Sequence, residues 1–125
     1  MSTPGRGRRP AAVYAVGSDP DPRFSLANER TALAWVRTGL ALVAGGVALT
    51  SLATVARLTA LLDVVAGVLC LGGGGLAVGA LVGWRAAERA LRLGQPLPPP
   101  RLLPVLVGLV VGVGLVLGAF ALGTA

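Results

Sequence analysis

Apolar runs of membrane length alternate along this chain with short charged or proline-rich stretches. A helix needs about 20 apolar residues, rising 1.5 Å each, to cross a bilayer. Three runs meet that requirement, at 38–56, 64–84 and 102–124. The first run grows directly out of a charged, helix-forming head in LANERTALAWVRTGLALVAGGVAL, Leu26 to Leu49. Within it Arg30 and Arg37 are seven positions apart, which on a helix places them within roughly 20° of one another. Ala34, Ala41, Gly45 and Ala48 lie within roughly 60° of Arg30, while Leu33, Val36, Leu40, Val43 and Val47 gather elsewhere. Small residues let membrane helices approach closely, and intramembrane charges turn towards protein or water. The small, cationic face is therefore expected to meet neighbours.

The polar positions set the expected limits of the helices. Ser25 is a candidate N-cap, with Glu29 in the first turn, where a carboxylate suits the helix dipole. The first helix thus begins before the membrane. Glu29 has no cation three or four residues on, so its partner is sought among the arginines after the second span, in the same chain or across subunits. The second span carries Gly72 to Gly75 in a row, then Gly79 and Gly83; Gly75, Gly79 and Gly83 form a stripe suited to close helix packing. Beyond it, RAAERALRLG continues the helix, with Glu88 spaced to pair with Arg85 and Arg92 and with Gly94 as the stop. QPLPPPR then forms a stiff turn. The third span is uncharged and offers Gly108/Gly112 and Gly114/Gly118 as further packing pairs.

Composition turns this pattern into a class. A mean hydropathy of +0.80 with 13% charged residues describes an all-α integral membrane protein. One three-helix transmembrane domain is expected at 25–125, preceded by a disordered basic tail at 1–24. The net charge of +6 comes from eleven arginines and five acids, without lysine. Arg6, Arg8, Arg9, Arg23 and Arg30 precede the first span, and Arg85, Arg89, Arg92 and Arg101 separate the second from the third. Arg57 alone lies in the first loop. The positive-inside rule then makes the N-terminus and second loop cytoplasmic and the C-terminus external. Trp35 and Trp84 agree, each at the cytoplasmic end of its span. The tail is expected to rest on anionic lipid of the cytoplasmic leaflet of a cell membrane, at about 1 kcal/mol per arginine. The Arg8–Arg9 pair does not read as an export signal, because AAVYAV behind it is too short and is cut off by SDPDP.

The same residues exclude most chemistry. Histidine is absent and Cys70, the single cysteine, lies inside the second span, which rules out an intrachain disulfide and a His/Cys metal site. Cys70 reads as a small apolar packing residue. No catalytic constellation, cofactor motif or metal-ligand cluster is present, and the four-glycine run follows no strand, so it is no nucleotide loop. Neither an enzyme nor a nucleic-acid binder is expected.

Asn28, Glu29, Arg30, Thr31, Leu33, Trp35, Arg37 and Thr38, within LANERTALAWVRTGLAL, resemble the signature of the YidH-like family, domain of unknown function 202. Its members are small three-span membrane proteins, and the resemblance in architecture extends over all three spans. A related module forms the membrane part of eukaryotic polyphosphate polymerase complexes, an oligomeric channel lined with basic residues. That likeness implies an anion path through Arg30 and Arg37, with Arg85 and Arg89 as further contributors. Two functions follow: a homo-oligomeric structural or accessory membrane component whose arginines anchor and pair with Glu29 and lipid phosphate, or a channel or transport subunit for an anion such as a polyphosphate.

Overall fold

The computed structural model describes residues 7–56 and 60–125; Arg6 and Arg57, which entered the charge count above, lie outside the described residues. A four-residue turn of helix, α1 (Ala11–Tyr14), precedes three long helices: α2 (Pro22–Ala56), α3 (Ala60–Leu93) and α4 (Leu102–Gly123). The described residues include no strand. All three long helices are long and apolar enough to cross a membrane. At 35 and 34 residues, α2 and α3 are about 50 Å long, well beyond the roughly 30 Å hydrocarbon core. The chain is a multi-pass membrane protein.

The helix ends show how local chemistry sets the boundaries. α2 starts at Pro22, three residues before the expected cap at Ser25. Asp21 is the reason: its Oδ1 accepts the Arg23 amide at 2.9 Å, and its carbonyl accepts the Phe24 and Ser25 amides. Pro22 has no N–H to leave unsatisfied and its φ is already helical, so it suits the first position. α3 likewise starts at Ala60 instead of 64, with Asp63 in its first turn. It runs on past the apolar stretch and stops where expected. Gly94 adopts a φ of +64°, its amide reaches the Leu91 carbonyl, and the Gln95 amide reaches the Ala90 carbonyl. These two bonds close a helix C-terminus in the Schellman manner, which needs a left-handed residue that glycine supplies without strain.

The chain divides into two compact units, one of residues 1–37 with 77–99 and one of 38–76 with 100–125. In the second unit, α2 and α3 approach through glycine. A Cβ on Gly46 would lie 2.6 Å from the Cys70 sulfur and 2.8 Å from the Ala66 carbonyl oxygen; one on Gly73 would collide with the Gly39 carbonyl oxygen and Val43. The Cys70 thiol donates to the Val43 carbonyl at 3.8 Å. Cys70 is thus a packing residue in contact with Gly46. Ala53, Leu62, Val65, Ala66 and Leu76 are buried in this unit. α4 buries none of its residues, although Leu109 reaches Gly72. In the first unit the buried set is Val13, Ala80, Ala90, Glu88 and Arg92.

Within the chain, the covered side of α2 is not the small, cationic face. Its buried and half-buried positions include Ser25, Asn28, Ala32, Trp35, Gly39, Leu42, Gly46, Leu49 and Ala53, spaced alternately by three and four. This seam centres roughly 160° from Arg30. Arg30, Ala34, Arg37, Ala41, Gly45 and Ala48 are all exposed. The chain's own partner for α2 is drawn to a seam of still closer approach, where Gly39 and Gly46 let backbone meet backbone.

Candidate functional site

Polar side chains converge in the first unit, where the start of α2 and the end of α3 carry more charge than their lipid-length middles. Glu88 is only 4% exposed. Its Oε1 accepts the Ser25 hydroxyl at 2.8 Å and its Oε2 accepts Asn28 Nδ2 at 3.3 Å. Asn28 Nδ2 also donates to the Trp84 carbonyl at 3.2 Å. The expected pairs of Glu88 with Arg85 and Arg92 do not form among the described residues. Spacing on one helix permits such pairs, worth only about 0.2–0.5 kcal/mol in isolation, but Glu88 and Arg92 are held by other partners and Arg85 is exposed. A buried carboxylate needs its lone pairs filled, and Ser25 and Asn28 fill them from the neighbouring helix.

One turn on, Arg92 is 3% exposed and holds the N-terminal segment. Its guanidinium donates to the Val16 carbonyl at 3.0 Å, the Tyr14 carbonyl at 3.2 Å and Asp19 Oδ1 at 2.6 Å, and lies 5.4 Å from the Tyr14 ring centre. The Ser18 amide donates to the Arg92 carbonyl, one of the groups that a helix end leaves without a partner. Gly17, at φ +61°, lies so close to that carbonyl that a Cβ would collide with it. Arg89 Nη1 donates to the Ala12 carbonyl at 2.6 Å, and Val13 is 2% exposed. Residues assigned to the 1–24 tail therefore make specific contacts with α3. The guanidinium of Arg92 beside Asp19 holds its carboxyl below the usual carboxylate range; partial loss of water opposes this and the charges of Arg8 and Arg92 reinforce it.

The other arginines and Glu29 are placed differently. Arg30, Arg37, Arg85 and Glu29 are exposed, and no ion pair joins Glu29 to Arg85, Arg89, Arg92 or Arg101 among the described residues. The expected intrachain partnership of Glu29 is thus replaced by that of its neighbour Asn28, which points into the seam. Thr31 bonds back to the Ala27 carbonyl. Of the glycines marked for packing, Gly75, Gly83, Gly108, Gly112, Gly114 and Gly118 have open space where a Cβ would stand, and Gly79 is half-buried. Within the chain, close approach falls to Gly46 and Gly73 instead. Sequence spacing did not single out Ser25 with Glu88, or Asp19 with Arg92; the proton donors at 25 and 28, three residues apart on the α2 seam, were the available signal.

This arrangement fastens helix ends together. The family described as "Domain of unknown function (DUF202)" matches residues 23–90, more than half of the chain. Ser25, Asn28, Trp84 and Glu88 lie inside that match, and Arg8, Tyr14, Asp19 and Arg92 outside it. The chain is 43% identical over 86 residues to inner membrane protein YidH of Escherichia coli K12, covering 69% of this chain and 75% of that protein. The same figures hold for inner membrane protein YidH of Shigella flexneri. No solved structure matches the chain. A helix pair built on the Asn28 motif, three membrane-length helices and a family match over residues 23–90 lead to one assignment: the chain belongs to the DUF202 family, small membrane proteins of unknown activity.

Proposed function

We propose that this protein is a structural or accessory component of the inner membrane that works as an assembly of its own copies, with its N-terminus and second loop in the cytoplasm. The observation that carries the reading is the exposed face of α2. Arg30 and Arg37 stand there among Ala34, Ala41, Gly45 and Ala48, on a side that the chain leaves uncovered. A guanidinium at mid-bilayer costs about 2.5–3.5 kcal/mol on insertion scales. A small-residue surface beside it suits a second helix better than lipid, which gains little from contact with alanine and glycine. A second copy brings Glu29, exposed on the same helix, as a counter-charge, and α4 contributes further uncovered surface. The cytoplasmic arginines meet anionic lipid at the rim.

Cross-linking in native membranes, followed by mass measurement, tests the assembly. The expected product is a homo-oligomer of three or more copies, weakened by Arg37→Ala. A monomer in both mild detergent and lipid overturns it. The channel alternative rests on the family resemblance alone. Anion flux through reconstituted wild-type oligomers, lost on Arg30→Ala and Arg37→Ala with assembly intact, would replace the structural reading with a conducting one.

A further inference from the structure

Asp19 lies between two guanidiniums. Its Oδ1 is 2.6 Å from Arg92 Nη1 and 3.6 Å from Arg8 Nη1. Both guanidinium carbons stand over the Tyr14 ring, at 5.4 Å for Arg92 and 5.8 Å for Arg8. Two cations thus share one carboxylate oxygen and one aromatic ring. The carboxylate does not saturate them. At 3.6 Å the Arg8 contact exceeds a good hydrogen bond, and two positive charges face one negative charge. Arg89, a third cation on the same end of α3, is held by a neutral carbonyl and adds to the surplus.

The site is both built and reachable. The Arg92 side chain is 1% exposed and that of Asp19 33% exposed. Arg92 is fixed independently of Asp19, by the Val16 and Tyr14 carbonyls. Removing the carboxylate therefore leaves the guanidinium in place. Arg8 reaches the same point from the opposite end of the N-terminal segment, with a side chain 59% exposed and free to adjust.

We infer that Arg8 and Arg92, closed on one side by Tyr14, form an anion-binding site in which the chain's own Asp19 is the resident occupant, replaceable by a phosphate group. A phosphate monoester carries about −1.5 to −2 charge at pH 7 and presents three acceptor oxygens. It fits the Arg8 guanidinium together with Arg92 Nη1, the Arg92 nitrogen not engaged by the Val16 and Tyr14 carbonyls, where Asp19 offers one shared oxygen. Arg8, Tyr14, Asp19 and Arg92 all lie outside the family match at 23–90, so the site belongs to the chain's flanks and is independent of Arg30, Arg37 and the proposed assembly. The phosphate is either a lipid headgroup or a free anion.

The full chain, in nanodiscs, distinguishes the two sources. In phosphatidylcholine discs, inorganic phosphate is titrated against chloride at equal ionic strength, with binding followed by calorimetry and amide exchange of residues 8–19. In a second arm, phosphatidic acid replaces part of the phosphatidylcholine and no phosphate is added. Asp19→Asn, which empties the site and keeps a polar side chain, should bind about tenfold or more tightly, the scale of one charge-assisted hydrogen bond. Arg8→Ala should bind correspondingly more weakly while Arg92 still holds the segment. A saturable response in either arm, ordered Asp19→Asn above wild type above Arg8→Ala, supports the site and identifies the phosphate's source. No response in either arm, a response matched by chloride, or one indifferent to Asp19→Asn and Arg8→Ala overturns it.

Discussion

Asn28 shows how one side chain organises a helix pair. It spends its two amide protons on the Trp84 carbonyl and the buried Glu88 carboxylate, while adjacent Glu29 and Arg30 face outward. Asn28→Ala is expected to destabilise the protein by about 1–3 kcal/mol, because it leaves a buried carboxylate short of a donor. Glu29→Ala should stay within about 0.5 kcal/mol in a monomeric state. Denaturant unfolding in detergent compares the two directly, and equal effects would remove Asn28 from this role. The residue scale is also where the sequence was least readable. Intrahelical spacing shows which pairs are geometrically permitted, as for Glu88 with Arg85 and Arg92. It carries no record of the hydroxyl and amide arriving from α2, or of the carbonyls that claim Arg92.

At the scale of elements, the three long helices were legible from hydropathy and the end of α3 from Gly94, since both depend on local properties of the chain. The beginning of α2 was misplaced because Asp21 and Pro22 sit within a proline-rich stretch that also suits a loop. The side of α2 that packs within the chain is hard to read for a different reason. Two faces of the helix are rich in small residues, and which one receives α3 is decided by the surface presented by α3. Gly73 makes this contact specific. Gly73→Val is expected to cost about 1–3 kcal/mol through overpacking against Gly39 and Val43. Gly75→Ala meets nothing among the described residues and should instead raise helix stability by about 0.5–1 kcal/mol. Thermal unfolding of the monomer in detergent tests the contrast. If Gly75→Ala lowers stability only in the assembled protein, the uncovered glycine stripe is an interface between copies.

For the whole molecule, the proposed orientation follows from arginines distributed unevenly along three spans. A reporter fused after Ala125 is expected to signal the outside of the membrane, and one placed in the 95–100 turn the cytoplasm. A cytoplasmic signal from the C-terminal fusion would overturn the assignment, either by reversing all three spans or by leaving an even number of crossings. The class of the protein was readable in full because a lipid-exposed backbone has few solutions, and an apolar run of sufficient length becomes a helix. The architecture around it was not. α4 shows the limit plainly: its sequence specifies a span, yet none of its residues is buried among the described residues.

The bond between Asp19 and Arg92 joins residues 73 positions apart, and that separation is also an interval of time. At a synthesis rate of about 5–20 residues per second, the N-terminal segment emerges roughly 4–15 seconds before its dock on α3 has been made. During that interval Arg8 and Arg9 have no α3 to lie against, so the nascent chain presents them to its surroundings with their full charge. Under the proposed orientation, the bias that keeps a basic terminus on the side of synthesis acts while the segment is still free. Only afterwards, when the end of α3 appears, does the finished fold take Arg8 and Asp19 into a contact with Arg92. In the proposed orientation, the basic segment that biases insertion early becomes part of the fastening later, and it serves both stages because its binding partner is made 73 positions after it.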